Sequence, residues 1–176
     1  MSLKAPIYSN SQTLSSASLA SNFSTTSQLH SDYLIRPIEA DDYEGVVATL
    51  SVLTKVGQLS KEKFSSTVEY LKKHSDIYNT VVIVNQAKDN MIVGVGSIFI
   101  EQKIIHECGK VGHIEDIAIS GEEQGRKLGY HLIKHLTEIG SDQGCYKVIL
   151  DCAEKNIKFY EKCGYTNEGF EMAARF

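Results

Sequence analysis

From Tyr33 onward the apolar residues follow two repeats, one of two residues and one of about 3.6, and each predicts an element. Residues 33–38 read as a short strand ended near Pro37. Asp41 and Asp42 open a helix with Val46, Val47, Leu50 and Leu53 on one face. Beyond Gly57, Ser60 reads as the N-cap of a second helix with Phe64, Val68 and Leu71 inward. Residues 81–84 form a strand, Lys88-Asp89-Asn90 a turn, and residues 91–103 a longer strand. Another strand covers 111–119, and Leu128, Leu132, Ile133, Leu136 and Ile139 mark an amphipathic helix. Residues 148–150 lie in a strand, and a helix around 155–162 ends at Gly164 as a left-handed cap. A last strand is expected near 170–174. The order β-α-α-β-β-β-α-β-α-β predicts an α/β fold: a mixed, mostly antiparallel central sheet flanked by helices, with a late parallel β-α-β unit.

Composition changes this picture at one end. Residues 1–31 are rich in Ser, Asn, Gln and Thr with isolated apolar residues, and are expected to be a disordered tail before a single domain over 32–176. A mitochondrial presequence would be arginine-rich, whereas this stretch has Lys4 and no Arg. The 176 residues suit one domain. A net charge of −4 and a pI near 5.9 argue against a nucleic-acid partner or an anionic membrane. Nothing approaches the roughly 20 apolar residues of a membrane span, and no secretory signal is visible, so a water-soluble, cytoplasmic protein is expected. Cys108, Cys145, Cys152 and Cys163 show no metal-ligand spacing and are expected to be reduced packing residues.

The chemistry concentrates in 112–130, GHIEDIAISGEEQGRKLGY: a strand, a polar loop and a helix start. A helix N-terminus offers unpaired N–H groups and a positive dipole end, and Arg126 and Lys127 add charge, so the stretch suits a phosphate. It is neither a Walker A loop nor G-x-G-x-x-G, and Gly94-Val95-Gly96 also lacks the third glycine. On its own, an ordinary connection with exposed basic residues explains it equally well. Glu115 and Asp116 are neighbours in a strand, and alternation places them on opposite faces unless a bulge intervenes. Asp151 lies at the carboxyl end of a strand, where open α/β sheets place a ligand crevice. Asn156 and Tyr160 are one helical turn apart. His131 and His135 share that spacing but lack the Glu of H-E-x-x-H, and read as ordinary histidines, with no metal site.

Residues 124–129 resemble motif A of the GCN5-related N-acetyltransferase (GNAT) superfamily, whose loop holds the pyrophosphate of acetyl-CoA. Gln124 and Gly129 match its first and last positions. Lys127 replaces the middle glycine and is expected to keep ordinary helical angles, which leaves the N–H donors in place. Asn156, Tyr160, Gly164 and Tyr165 resemble a later signature of the superfamily. Residues 52–57, 103–119, 144–152, 154–165 and the terminal EMAAR resemble its branch that acetylates glucosamine 6-phosphate for UDP-N-acetylglucosamine synthesis, over roughly 33–176.

The resemblance implies a GNAT fold and acetyl-CoA as co-substrate, with no metal. It implies that Ile117, Ala118 and Ile119 pair with the pantetheine arm, that Gln124, Gly125, Arg126, Lys127, Leu128, Gly129 and Tyr130 hold the diphosphate, and that Asn156 bonds a pantetheine amide. It gives Glu115, Asp116 and Asp151 the amine, and Tyr160 the departing thiolate. Thr54, Lys103, Ile104, Ile105, His106, Tyr146, Lys147 and Arg175 would surround the sugar phosphate, partly from the second subunit of a homodimer. Direct transfer needs no protein nucleophile, because holding amine and thioester together removes much of the barrier. Two other readings remain open: acetylation of a protein or polyamine amine, and a non-catalytic acetyl-CoA-binding regulatory domain.

Overall fold

The computed structural model describes residues 29–174. Most of the expected tail, and Arg175, lie outside the described residues. The sheet has five strands in sequence order: β1 (Tyr33–Pro37), β2 (Tyr78–Asn85), β3 (Met91–Gln102), β4 (Lys110–Ile119) and β5 (Cys145–Ile149). The first four pair antiparallel, and β5 joins β4 in parallel. That parallel pairing needs a crossover, supplied by α4 (Leu128–Asp142). Helices α1 (Tyr43–Leu50) and α2 (Lys61–Lys73) follow β1, a single turn α3 (Ile105–Cys108) joins β3 to β4, and α5 (Ile157–Lys162) follows β5.

Each face of the sheet buries its own core. Leu128, Leu132, Ile133 and Leu136 of α4 pack against Ile83, Ile98 and Ile114 on one side. On the other, Val46 of α1 and Phe64 and Val68 of α2 cover Val82, Val84, Ile92 and Val95. The second core holds no residue of β4 or β5; on that face α1 reaches β4, and Glu115, Lys147 and Ile149 stay exposed. Close approach on the α4 side depends on glycine: a Cβ on Gly140 would lie 2.7 Å from a methyl of Val148. Ser60 caps α2 as expected, accepting from the Lys63 N–H, and Gly164 (φ 95°) ends α5 in the left-handed region.

Three expectations are corrected. Helix α1 ends at Leu50, so Leu53 is 51% exposed instead of core. Cys108 and Cys152 are exposed; of the four free thiols only Cys163 is fully buried. The strand near 170–174 is not formed, and Phe170 and Met172 are 97% and 94% exposed. A strand exists only by pairing, and among the described residues no edge is bonded to this segment.

One buried charge ties the parts together. Glu123, with no exposed surface, accepts from the Tyr33 hydroxyl at 2.6 Å, Lys88 Nζ at 2.8 Å and Asn85 Nδ2 at 3.3 Å. It also forms an ion pair with Arg126 Nε at 3.1 Å. Hydrogen bonds from Lys88 and Tyr33 hold its carboxyl down at about 2, against the cost of burial. A depressed carboxylate adds stability that is full above its ordinary value of 4.5 and is lost as pH falls through about 2. Glu123→Gln is therefore expected to unfold at lower urea concentration near neutrality. The difference from the parent protein should shrink as pH is lowered from about 5 toward 2. A difference independent of pH, measured by urea titration, would contradict the ion-pair assignment.

Candidate active site

The site starts from an irregularity in β4. Val95 pairs with Ala118 and Ser97 with Glu115, so two residues of β4, Asp116 and Ile117, face one of β3. The extra residue is Asp116, whose φ of 56° marks a bulge. Regular alternation would turn Asp116 into the apolar layer under Leu132 and Leu136. The bulge keeps it out and turns Ile117 inward instead, and the absence of a Cβ at Gly96 makes room. An added Cβ there would lie 2.7 Å from the Ile117 Cδ1 and 3.0 Å from a Leu136 methyl. Glu115 and Asp116 thus both border the same cavity of about 360 Å³ between the sheet and α1/α2, shared with Ser97 and Phe99. The expectation of opposite faces is corrected by this bulge.

The same strand then leaves its neighbour. Pairing of β4 with β5 ends at His113 opposite Ile149. Beyond it, the β5-facing edge of β4 is open. The Ser120 N–H bonds back to the Val93 carbonyl on β3, so alternation turns the N–H and C=O groups of Ile119 and Ile117 toward the open edge. Ala118 is buried and contributes only backbone.

At the far end of β4 the turn 120–127 delivers the chain into α4. Gly125 has φ 81°, and Lys127 has φ 62° and ψ 12°. Lys127 therefore departs from the ordinary helical angles expected of it. The position keeps the left-handed conformation that glycine adopts freely, at a cost of about 1–2 kcal/mol for a residue with a Cβ. No side chain caps α4, which leaves the first-turn N–H groups facing outward with the dipole's positive end. Gln124, Gly125, Arg126 and Lys127 are exposed around them, while the side chains of Leu128 and Tyr130 pack on the core. Gly129 lies against Phe159 of α5, where an added Cβ would meet the ring at 3.3 Å.

Asp151 follows β5 and is exposed, and its charge reaches Glu115. Partial burial raises the Glu115 carboxyl above its usual range, and the negative charges of Asp116 and Asp151 push it further the same way. Tyr160, half-buried on α5, is pushed up to about 12 by burial, with the nearby Cys152, Cys163 and Tyr165 adding to the shift. Its phenol keeps its proton and is a hydrogen-bond donor at any ordinary pH. Asn156 sits exposed at the N-cap of α5, one turn before Tyr160.

The residues expected around a sugar phosphate divide into groups. Lys103 is paired with Glu101 at 2.8 Å, and Glu101 also holds His113 at 2.9 Å. Turn α3 is wound left-handed at His106, Glu107 and Cys108. It lays the His106 ring 4.2 Å from that of Tyr146, leaving Ile104 and Ile105 exposed. Lys147 Nζ lies 6.0 Å from the Tyr146 ring centre. Thr54 is exposed in the loop between α1 and α2. Among the described residues no group of three or more His, Cys, Asp or Glu is arranged to hold a metal ion, and no helix is long and apolar enough to cross a membrane.

Sequence reasoning missed Glu123, because an acidic pair in a polar loop reads as solvated. It also left the bulge undecided, although the signals were present. Isoleucines at 114, 117 and 119 step by three and then two, and Gly96 interrupts a strand, which marks a close backbone approach.

Comparison with known proteins agrees with this geometry. Residues 41–165 match the model of the acetyltransferase (GNAT) family. The chain is 48% identical to the glucosamine 6-phosphate N-acetyltransferase of Candida albicans over 82% of its length and 96% of the relative's. It is 45% identical to the glucosamine 6-phosphate N-acetyltransferase 1 of Dictyostelium discoideum, covering 78% of this chain and 87% of that one. The crystal structure of glucosamine-6-phosphate N-acetyltransferase from Arabidopsis thaliana superposes with a TM-score of 0.79 at 36% identity, covering 82% and 98% of the two chains. With a family match across most of its described length and a sheet that opens between β4 and β5, the chain belongs to the GNAT family of acetyltransferases.

Proposed function

We propose that this chain transfers the acetyl group of acetyl-CoA to the amine of D-glucosamine 6-phosphate, giving N-acetyl-D-glucosamine 6-phosphate and CoA without an acyl-enzyme. The observation that carries the reading is the opening of β4 away from β5, flanked by the uncapped start of α4 and by three carboxylates. The diphosphate sits on the first-turn N–H groups of α4, with Gln124, Gly125, Arg126, Lys127 and Gly129 around it. The pantetheine arm lies along the open edge as an added strand, bonded by the backbone of Ile117 and Ile119, with Asn156 on an amide. The acetyl group thereby ends beside Glu115 and Asp116.

Three carboxylates attract the ammonium form of the amino sugar. Glu115, whose carboxyl is raised above its ordinary range by burial and the neighbouring carboxylates, accepts the proton directly or through water, and Asp116 and Asp151 orient the amine. Tyr160 donates a hydrogen bond to the sulfur as charge develops there. With its phenol at about 12, it stabilises the thiolate without giving up its proton, since a thiol is the stronger acid. The phosphate needs cations: Lys147, beside Tyr146 and His106, supplies one, Arg175 is assigned the same role by the family resemblance, and Lys103 is shared with Glu101.

We also place the protein in the cytoplasm as a homodimer with shared sites. Four free thiols fit a reducing compartment. Ile104, Ile105, Tyr146, Ile149, Phe170 and Met172 are large apolar residues left exposed on α3, β5 and the C-terminal segment, which suits burial against a second copy.

In a thiol-release assay, CoA appears with glucosamine 6-phosphate, and far less with unphosphorylated glucosamine, spermidine or a peptide. Glu115→Gln lowers kcat by about 10²–10⁴ with the acetyl-CoA KM little changed. Release without regard to acceptor phosphate contradicts the substrate, and no acceptor-dependent release leaves a binding module. Arg175→Ala raises the KM for the phosphorylated sugar far more than for acetyl-CoA. Mixing Arg175→Ala with Glu115→Ala subunits restores activity if the sites are shared; mixtures no better than either variant contradict sharing.

A further inference from the structure

Glu123 touches no reacting atom, yet it occupies the start of the turn that the preceding reading assigns to the diphosphate. Its partners come from four places: Tyr33 on β1, Asn85 at the end of β2, Lys88 in the hairpin to β3, and Arg126 within the turn. The Arg126 pair is the informative one. It spans three residues, from the last position before Gln124 to the position before Lys127, and so closes the turn across its two ends. Between and just after those ends lie the two left-handed residues, Gly125 and Lys127. Gly125 takes that conformation without a steric penalty; Lys127 does not. Lys127 has no side-chain capping bond of its own to offset the penalty.

Charge points the same way. A bare carboxylate beneath an anion site would repel the anion. Lys88 and Arg126 both contact this one, which makes the cluster net positive, and the Arg126 side chain remains 57% exposed. Arg126 Nε is given to Glu123, and one terminal nitrogen lies 3.4 Å from the Tyr33 hydroxyl, which itself donates to Glu123. The guanidinium is thus held on two sides by buried oxygen atoms. A flexible surface arginine would have to lose that freedom on binding.

We propose that Glu123 is a positioning residue for the acetyl donor: through Arg126 it clamps the turn so that Lys127 stays left-handed and the first N–H groups of α4 converge on the diphosphate. This rests on the reading of that turn as the acetyl-CoA site. A purely structural tie between β1, β2 and the turn would affect stability and both substrates alike. A clamp on the turn adds to the stability loss an effect on the donor and not on the amino sugar, and that effect matters only while residue 127 carries a Cβ.

The test is a double-mutant cycle read by calorimetric titration with CoA and by steady-state kinetics. Glu123→Gln keeps the shape and removes the charge. It is expected to weaken CoA binding, and raise the acetyl-CoA KM, about tenfold, with kcat and the amino-sugar KM within about twofold. In a Lys127→Gly background, where the left-handed backbone no longer carries a side-chain penalty, the same substitution is expected to cost about twofold or less. Equal losses in both backgrounds, or matching changes in both KM values, overturn the proposal. If Glu123→Gln does not fold, Lys88→Met, on the exposed hairpin, serves instead: an acetyl-CoA KM raised about threefold with the amino-sugar KM unchanged supports the clamp, and no change overturns it. Parent protein that fails to bind CoA would sink the site assignment itself. Parent protein that binds CoA no more tightly than Glu123→Gln sinks only this inference.

Discussion

A single extra residue in one strand organises this site. By adding Asp116 opposite Gly96, β4 changes the face of every residue that follows it. Ile117 and Ile119 turn into the layer under α4, two adjacent acids stay on the side of the cavity, and the irregularity follows shortly after β4 parts from β5. Without the bulge, the Asp116 carboxylate would face Leu132 and Leu136, a position with no polar partner to receive it. The fold and the chemistry therefore share one constraint: the acids can be adjacent only because the strand is irregular.

That constraint also leaves two separate surfaces leading to the acids. The open edge of β4 offers backbone groups and leads to the start of α4, which suits an extended carrier ending in phosphates. On the α1/α2 side of the sheet, β4 and β5 carry Glu115, His113, Lys147 and Ile149. An amine acceptor with an anionic end meets charges of both signs there. Glu123 lies outside both surfaces, buried where β1, β2 and the turn before α4 meet.

How much of this could be read from the chain depended on the period of its residues. Helix α4 was legible because Leu128, Leu132, Ile133 and Leu136 repeat strictly, and α2 because Ser60 precedes Phe64 and Val68 at the spacing of a cap and a buried stripe. The residues of β4, α4 and α5 expected at a site were singled out only by their resemblance to a family pattern. Three things were not legible. Lys127 hides a left-handed residue behind a side chain that usually avoids one. Three of the four partners of Glu123 lie 35 to 90 residues away, which no local window contains. The segment 170–174 has the pattern of a strand but no partner edge among the described residues, and pattern alone cannot supply one.

The most direct measurement of the central claim is amide hydrogen exchange with and without CoA, resolved residue by residue. An opened β4 edge that receives the carrier predicts slowed exchange at Ile117 and Ile119 and at the first turn of α4, with β1 and β2 unchanged. Protection on another face, with the Ile117 and Ile119 amides exchanging as in the free protein, would contradict the account.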